Sequence, residues 1–263
     1  MSEDIKLVDA LIQKYNVKGF YHTGPINIPE PNTLYFVKYL TFLYEYIING
    51  KKIILTPNTH IIIPRKYANY ISTQEYPNTR FYPADDVPFV FGEIHNYIHG
   101  FLTFFTQPNV SKQAYVDPTA SLDTDGIHMY HTPYGYKKHL KHMSNVKIKA
   151  GSTIGAYTVI HKGVFEPTVI GKYVTIGSLV NIGHNCNIGD HTVITPGVTV
   201  AGSCNIGKRC WIGCGVTIKH FTNVCDDVII GQHSNVLRDI VEPGTYAGNP
   251  LKRIGPYREN WNF

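Results

Sequence analysis

No apolar stretch in this 263-residue chain approaches the roughly 20 residues needed to cross a bilayer, so no membrane partner is expected. The opening Met1-Ser2-Glu3-Asp4-Ile5-Lys6 lacks the positive-then-apolar layout of a secretory leader, and the expected compartment is the cytoplasm. Cysteine is scarce and odd in number, five in all, which describes no disulfide framework and favours reduced thiols. Charge is sparse too: charged residues make up 16% and the net charge is +5 with His neutral. The Lys and Arg are scattered rather than gathered into a block that would track a phosphate backbone, so no nucleic-acid partner is expected. Nor does a G-x-G-x-x-G turn occur near the start, which argues against a dinucleotide-type fold. What remains is ordinary for a globular protein: 43% of residues are apolar, and the length allows two domains.

An aliphatic residue recurs every sixth position through Ile170, Ile176, Ile182, Ile188, Ile194, Val200, Ile206, Ile212, Ile218, Val224, Ile230 and Val236. Four residues after each stands a small or β-branched one, among them Val174, Val180, Cys186, Thr192, Cys204, Cys210 and Ser234. Such a period suits neither a 3.6-residue helix nor a long alternating strand; each hexad must be a short strand plus a corner. Three sides close one coil of a triangular prism, and stacked coils repeat at about 4.8 Å, the spacing of paired strands. Cys186 and Cys204 then stack at an inward position and read as small core residues. Hexads at Ile148, Ile154 and Ile160 extend the ladder backwards, but the next position in register is Glu166. Gly163-Val164-Phe165-Glu166-Pro167 is therefore expected to bulge from a coil.

This pattern resembles the hexapeptide-repeat superfamily over residues 146 to 254. The resemblance implies a left-handed parallel β-helix, a homotrimer, and active sites between neighbouring prisms.

Residues before about 108 lack the hexad period. An amphipathic start around Val8-Asp9-Ala10-Leu11-Ile12, apolar runs Lys52-Ile53-Ile54-Leu55 and Ile61-Ile62-Ile63, and a second helical stretch from Phe89 to Phe105 predict a small α/β domain. The expected division is a small α/β domain over 1–108 and a β-helix domain with a short tail over 109–263; family resemblance implies nucleotide-sugar binding for the first and acyl transfer for the second.

That layout is similar to the UDP-3-O-acylglucosamine N-acyltransferases of lipid A synthesis, which set a uridine-binding domain before a β-helix. In Leu34-Tyr35-Phe36-Val37-Lys38-Tyr39-Leu40-Thr41-Phe42, Phe36 and Phe42 fall on the family's base-reading aromatic positions and Tyr39 replaces an Asn. Tyr134-Gly135-Tyr136 with His139, Lys141 and His142 resembles the loop that approaches the nucleotide sugar. Ile182-Gly183-His184-Asn185 is the strongest match; in the family its His is the general base. The chain departs from the family at its end, where Tyr246-Ala247-Gly248-Asn249-Pro250-Leu251-Lys252-Arg253 resembles the closing segment of coenzyme A-dependent hexapeptide acetyltransferases. The expected donor is accordingly an acyl-coenzyme A.

Acyl transfer to an amine needs a group to take the nucleophile's proton and a donor for the developing oxyanion. A neutral imidazole suits the first task, and His184 sits at an outward corner. Backbone N–H groups near Gly202, one coil on, suit the second. His220 occupies the same corner two coils on and is a candidate for thioester contact, although the family's second His aligns with Phe221. Lys219, Lys252 and Arg253 are candidates for coenzyme A phosphates. Glu93 and Asp85-Asp86 are candidates for sugar hydroxyls or the ammonium, and Asn185 for substrate. The expectation is N-acylation of a UDP- or dTDP-linked amino sugar. Three alternatives stand beside it. A sugar O-acetyltransferase would use the same His. A gamma-class carbonic anhydrase-like metalloenzyme would need a second His where Gly189 stands, so no metal is expected. The third is a non-catalytic β-helix assembly module.

Overall fold

The computed structural model describes residues 3–18, 22–24, 33–36, 59–70, 79–101 and 107–257. Contacts divide the chain into two units, Met1–Phe104 with His128–Lys141, and Phe105–Ile127 with His142–Phe263.

In the first unit the amphipathic start forms α1, Glu3–Lys18, with Glu3 and Asp4 in its first turn. Four strands, β1 (His22–Gly24), β2 (Thr33–Phe36), β3 (Thr59–Pro64) and β4 (Thr79–Ala84), pair in parallel in that order. Ile61, Ile62 and Ile63 on β3 are all buried, as in a parallel sheet covered on both faces. The second expected helix is α2, described over Val87–Phe101, which packs against α1, β2 and β3; Phe105 lies outside the described residues. Asp86 Oδ1 accepts the Phe89 N–H at 3.0 Å and caps α2. The buried Asp4 carboxylate in turn accepts the Asp85 and Asp86 N–H groups at 3.0 and 2.7 Å. The run at 52–55 lies outside the described residues.

The second unit is built of three parallel sheets, one per side of a prism. A coil the sequence reading did not resolve comes first: β5 (Asn109–Val110), β6 (Tyr115–Val116) and β7 (Ser121–Thr124). Its inward residues Val110, Val116 and Leu122 keep the six-residue spacing and pack on the core. From Ile148 to Val236 each residue of the aliphatic ladder is at most 3% exposed, and the positions four residues later are as deeply buried. Where those are polar they are satisfied: Ser152, Thr158 and Thr192 each donate a 2.7 Å hydrogen bond to the carbonyl of Gly171, Gly177 and Gly207 in the following coil. The Cys186 and Cys204 thiols do the same towards Ala201 and Lys219, at 3.2 and 3.1 Å. These core residues therefore also seal the corner carbonyls, which the coil ladder leaves turned inward.

Thr175 pairs with Val193, and Val193 with Trp211, each eighteen residues on. Two steps are longer. Thr153 pairs with Thr175 because the chain between His161 and Thr168 carries extra residues; in the expected bulge Gly163–Pro167, Glu166 is exposed while Val164 stays buried. Tyr115 pairs with Thr153 because the first coil carries a long excursion after β7. That excursion holds an antiparallel hairpin, β8 (Met129–His131) and β9 (Lys137–His139), which groups with the first unit although the chain on either side belongs to the second. Side chains of α2 fasten it. Glu93 accepts from the Tyr130 hydroxyl at 2.9 Å and from Lys138 Nζ at 2.7 Å, while the Asn96 amide donates to the His139 carbonyl and accepts the Lys141 N–H. The prism ends in an antiparallel pair, Gly244–Ala247 with Lys252–Gly255. Among the described residues no helix is long and apolar enough to cross a membrane.

Ile212 is wholly buried between Ile194 and Ile230 of the adjoining coils. Ile212→Ala is expected to lower unfolding stability by about 2–5 kcal/mol, read from urea denaturation. A loss below about 0.5 kcal/mol, the size of an ordinary surface change, would contradict a close-packed axis.

Candidate functional site

Most hexads from Ile148 onward turn through a residue with positive φ, three places after the aliphatic residue: Tyr157, Tyr173, Leu179, Asn185, His191, Ser203, Arg209, Phe221, Asp227 and His233 do so, with Gly151, Gly197 and Gly215. The residue just before, which points outward, is His184 in the third coil, Gly202 in the fourth and His220 in the fifth. Asn185 takes the positive φ of 59° next to His184, a conformation Asn tolerates better than most residues.

Asn185 does more than turn the chain. Its Oδ1 accepts the Val164 N–H at 3.0 Å and its Nδ2 donates to the Glu166 carbonyl at 2.9 Å, so two backbone groups of the bulge fix which way the amide faces. Oδ1 also lies 2.9 Å from His184 Nδ1. A carbonyl oxygen only accepts, so Nδ1 carries the proton, and Nε2 is the nitrogen that can take one from a substrate. Nε2 faces Gly202. A Cβ on that residue would stand 2.6 Å from Nε2, so glycine is what keeps this nitrogen approachable.

The Gly202 N–H occupies a corner position whose behaviour is visible elsewhere in the prism. At the equivalent Lys172 and Lys208, the N–H points outward and donates to a carboxylate of the following coil, Asp190 Oδ1 at 2.7 Å and Asp226 Oδ1 at 2.8 Å. The corner N–H is thus a proven donor to anionic oxygen. At Gly202 the following coil offers His220 instead of an acid.

Above His184 the first and second coils supply His142, which the sequence placed in the loop expected to approach the nucleotide sugar, and further residues it did not single out. Gly126 packs so closely that a Cβ would lie 2.8 Å from His184 Cδ2. His142, 3% exposed, meets His184 edge-on with ring centroids 5.0 Å apart. His161 lies against Thr124 and the Asp125 carbonyl at 3.0 and 3.1 Å. Burial lowers its pKa against the opposing pull of the Asp125 and Thr124 backbone, with the neighbouring His184 adding to the lowering. The Lys162 ammonium pairs with Asp125 at 3.1 Å. Burial pushes the Asp123 carboxyl up, with Lys162 opposing. Their signal in the sequence was positional: Asp125-Gly126 and His161-Lys162 flank the two places where the repeat is broken.

The other candidates fall elsewhere. Tyr134 and Tyr136, at the tip of the β8–β9 hairpin, are exposed and stacked on each other, centroids 6.1 Å apart, and His139 is exposed on β9. Glu93 is engaged by Tyr130 and Lys138, and Asp85 by Arg65 at 2.9 Å; with the capping Asp86, these carboxylates hold the first unit together. Phe36 ends β2, whereas Tyr39 and Phe42 lie outside the described residues. Lys219 and His220 are exposed on the His184 edge, His220 edge-on to Phe221. Lys252 and Arg253 are exposed in the terminal pair, where the Arg253 guanidinium donates to the Pro243 carbonyl at 3.1 Å. Among the described residues no cluster of three His, Cys, Asp or Glu has the arrangement of a metal site.

Residues 167–202, which include this corner, match the family model described as bacterial transferase hexapeptide (six repeats). A UDP-3-O-acylglucosamine N-acyltransferase of Coxiella burnetii (strain Dugway 5J108-111) is 38% identical over 150 residues, 57% of this chain and 44% of that protein. One of the same name from Xanthomonas axonopodis pv. citri (strain 306) is 38% identical over 160 residues, 60% and 47% respectively. The hexapeptide chain thus spans less than half the length of these two curated relatives. A solved structure described as UDP-N-acetylglucosamine acyltransferase shares the fold, with a TM-score of 0.50 at 17% identity over 89% of this chain and 69% of its own. The resemblance to hexapeptide-repeat acyltransferases, first seen in the hexads and in His184-Asn185, is therefore upheld.

Asn185→Gly keeps the corner conformation accessible but deletes the amide that holds the bulge. Hydrogen exchange at the Val164 amide is expected to quicken by about tenfold or more, the equivalent of a net bond of about 1.4 kcal/mol. Unchanged protection there would mean that the bulge is held by other contacts.

Proposed function

We propose that this chain is an N-acyltransferase that moves an acyl group from an acyl-coenzyme A to the amino group of a UDP- or dTDP-linked amino sugar for surface glycan. The observation that carries the reading is the His184 corner, an imidazole of fixed tautomer whose Nε2 faces a glycine. Relatives named as nucleotide-sugar acyltransferases support the substrate class.

The neutral amine attacks the thioester carbonyl carbon, and His184 Nε2 takes the ammonium proton as the C–N bond forms. Negative charge gathers on the former carbonyl oxygen, within the reach of an outward N–H such as that of Gly202. The C–S bond then breaks, the thiolate takes the proton back from His184, and an amide and a free thiol leave. Asn185 holds the charged imidazole through Nδ1–H in both directions of transfer.

The hairpin rings Tyr134 and Tyr136, with Phe36, Tyr39 and Phe42, are assigned to the base and sugar, because aromatic faces stack bases. His139 is assigned to the same role. Glu93 we assign to fastening this hairpin rather than to the sugar. Lys219, His220, Lys252 and Arg253 are assigned to the phosphates of coenzyme A; Arg253 would have to give up Pro243. A homotrimer is part of the reading. Tyr157, Leu179 and Phe221 stand 65, 67 and 69% exposed at prism corners, large apolar surface that a neighbouring prism would cover.

A thiol-release assay with acetyl- and 3-hydroxybutyryl-coenzyme A against UDP- and dTDP-amino sugars, with hydroxyl-only analogues beside them, tests this. Release that requires the amine is expected; release with the hydroxyl-only sugars would make the enzyme an O-acyltransferase, and none with any pair would end the reading. His184→Ala should cut kcat by about 10²–10⁴ while leaving the oligomer intact. Undiminished turnover would remove His184 from its role.

A further inference from the structure

We propose that His142 is a positioning residue that holds the His184 imidazole in the orientation acyl transfer requires. The proposal rests on the acyltransferase reading for its chemistry, but its geometry stands apart from it.

The hydrogen bond from Nδ1 to Asn185 fixes one atom of the His184 ring. Rotation about χ2 of a histidine is otherwise broad, so one contact leaves the ring able to rock and Nε2 to swing away from Gly202. Flat walls must stop it. Gly126 backs the Cδ2 side, and His142 stands against the ring at an interplanar angle of 80°. The same missing Cβ on Gly126 lets both rings in, since it would also lie 3.1 Å from His142 Cε1.

His142 is itself immobilised. Its Nδ1 lies 2.9 Å from the Lys162 carbonyl and 3.2 Å from the Gly126 N–H. A protonated Nδ1 donates to the first and a bare Nδ1 accepts from the second, so either tautomer ties the ring to backbone on the coil next to His184. An aliphatic side chain would fill the space without this anchor. The chain leaves the second unit at Ile127 and re-enters it at His142, so the wall is the first residue after the excursion. A 3% exposed ring with one nitrogen turned on backbone suits a support better than a substrate contact.

The test compares wild type with His142→Asn, which keeps a polar atom near the place of Nδ1 but removes the ring, and His142→Phe, which restores a ring. Imidazole ¹⁵N–¹H spectra of the full chain without substrate, assigned through His184→Ala, report the His184 tautomer. The Nδ1–H form alone is expected in wild type and His142→Phe, and a mixture in His142→Asn. In thiol release with an amino sugar that wild type turns over, His142→Asn should lower kcat by about ten- to a hundredfold, as for a misplaced base. KM for the amine should stay within about twofold, and His142→Phe should recover most of the rate. An unchanged His184 spectrum in His142→Asn overturns the proposal, as does a rise in KM at constant kcat, which would make His142 a substrate contact. If His142→Asn fails to fold, as judged by thermal melting, the phenylalanine variant decides: a His184 signal unlike wild type overturns it. If no amino sugar is turned over, the acyltransferase reading fails while the spectra still decide the positioning.

Discussion

Backbone hydrogen bonding from each coil to the next is the constraint on which the second unit depends. It locks equivalent residues into columns, so one choice of side chain is repeated down an edge and each column acquires a chemistry of its own. Inward columns are aliphatic or small. Outward columns carry Asn187, Asn205 and Asn223, whose amides bond in series at 3.1 and 2.8 Å, or the paired Arg209 and Asp227. Because side chains alternate along each short strand, a slip of one residue would turn every aliphatic side chain outward. His184 is held to its corner by that register long before any local contact acts on it.

The ladder also imposes a conformational cost at each corner, where even Tyr, Leu and Phe adopt positive φ. The left-handed region costs roughly 1–2 kcal/mol per non-glycine residue, and the chain sustains it because strands on both sides are already paired. Asn185 turns that constraint to use: the residue forced into the corner presents its amide to His184. The amide is oriented in turn by the Val164 N–H and the Glu166 carbonyl, backbone groups of the segment where the repeat is broken. Irregularity in this prism is concentrated around His184, with the long excursion returning at His142 and the short bulge at Lys162–Pro167.

The first unit follows a different logic. Its parallel sheet buries Ile61–Ile63, and its carboxylates are spent on structure: Asp4 and Asp86 at the start of α2, Glu93 on the hairpin. Burial and the adjoining Glu93 carboxylate push the Tyr130 phenol up, which keeps it a hydrogen-bond donor. A carboxylate near the end of a small domain looks like a ligand group in sequence, yet all three such candidates here, Asp85, Asp86 and Glu93, are capping groups or ion-pair partners. The excursion from 128 to 141 likewise reads as part of the domain that encloses it in the chain, whereas its contacts lie with α2.

The hexads alone determined that residues from 146 onward form a stacked coil with Ile and Val along its axis, because a strict six-residue period has one compact solution and burial enforces it position by position. They also placed His184 on an outward corner and Cys186 inside. The β-helix domain was expected from 109, but the three hexads of the coil at 109–124 were not picked out, since the excursion separates them from the rest. Only the tertiary structure decided which atoms surround His184. Gly126, His142 and His161 reach it, and Val164 and Glu166 fix its neighbour Asn185, across coil stacking and through two interruptions of the repeat; a contact between columns depends on register between distant segments, which local periodicity does not encode.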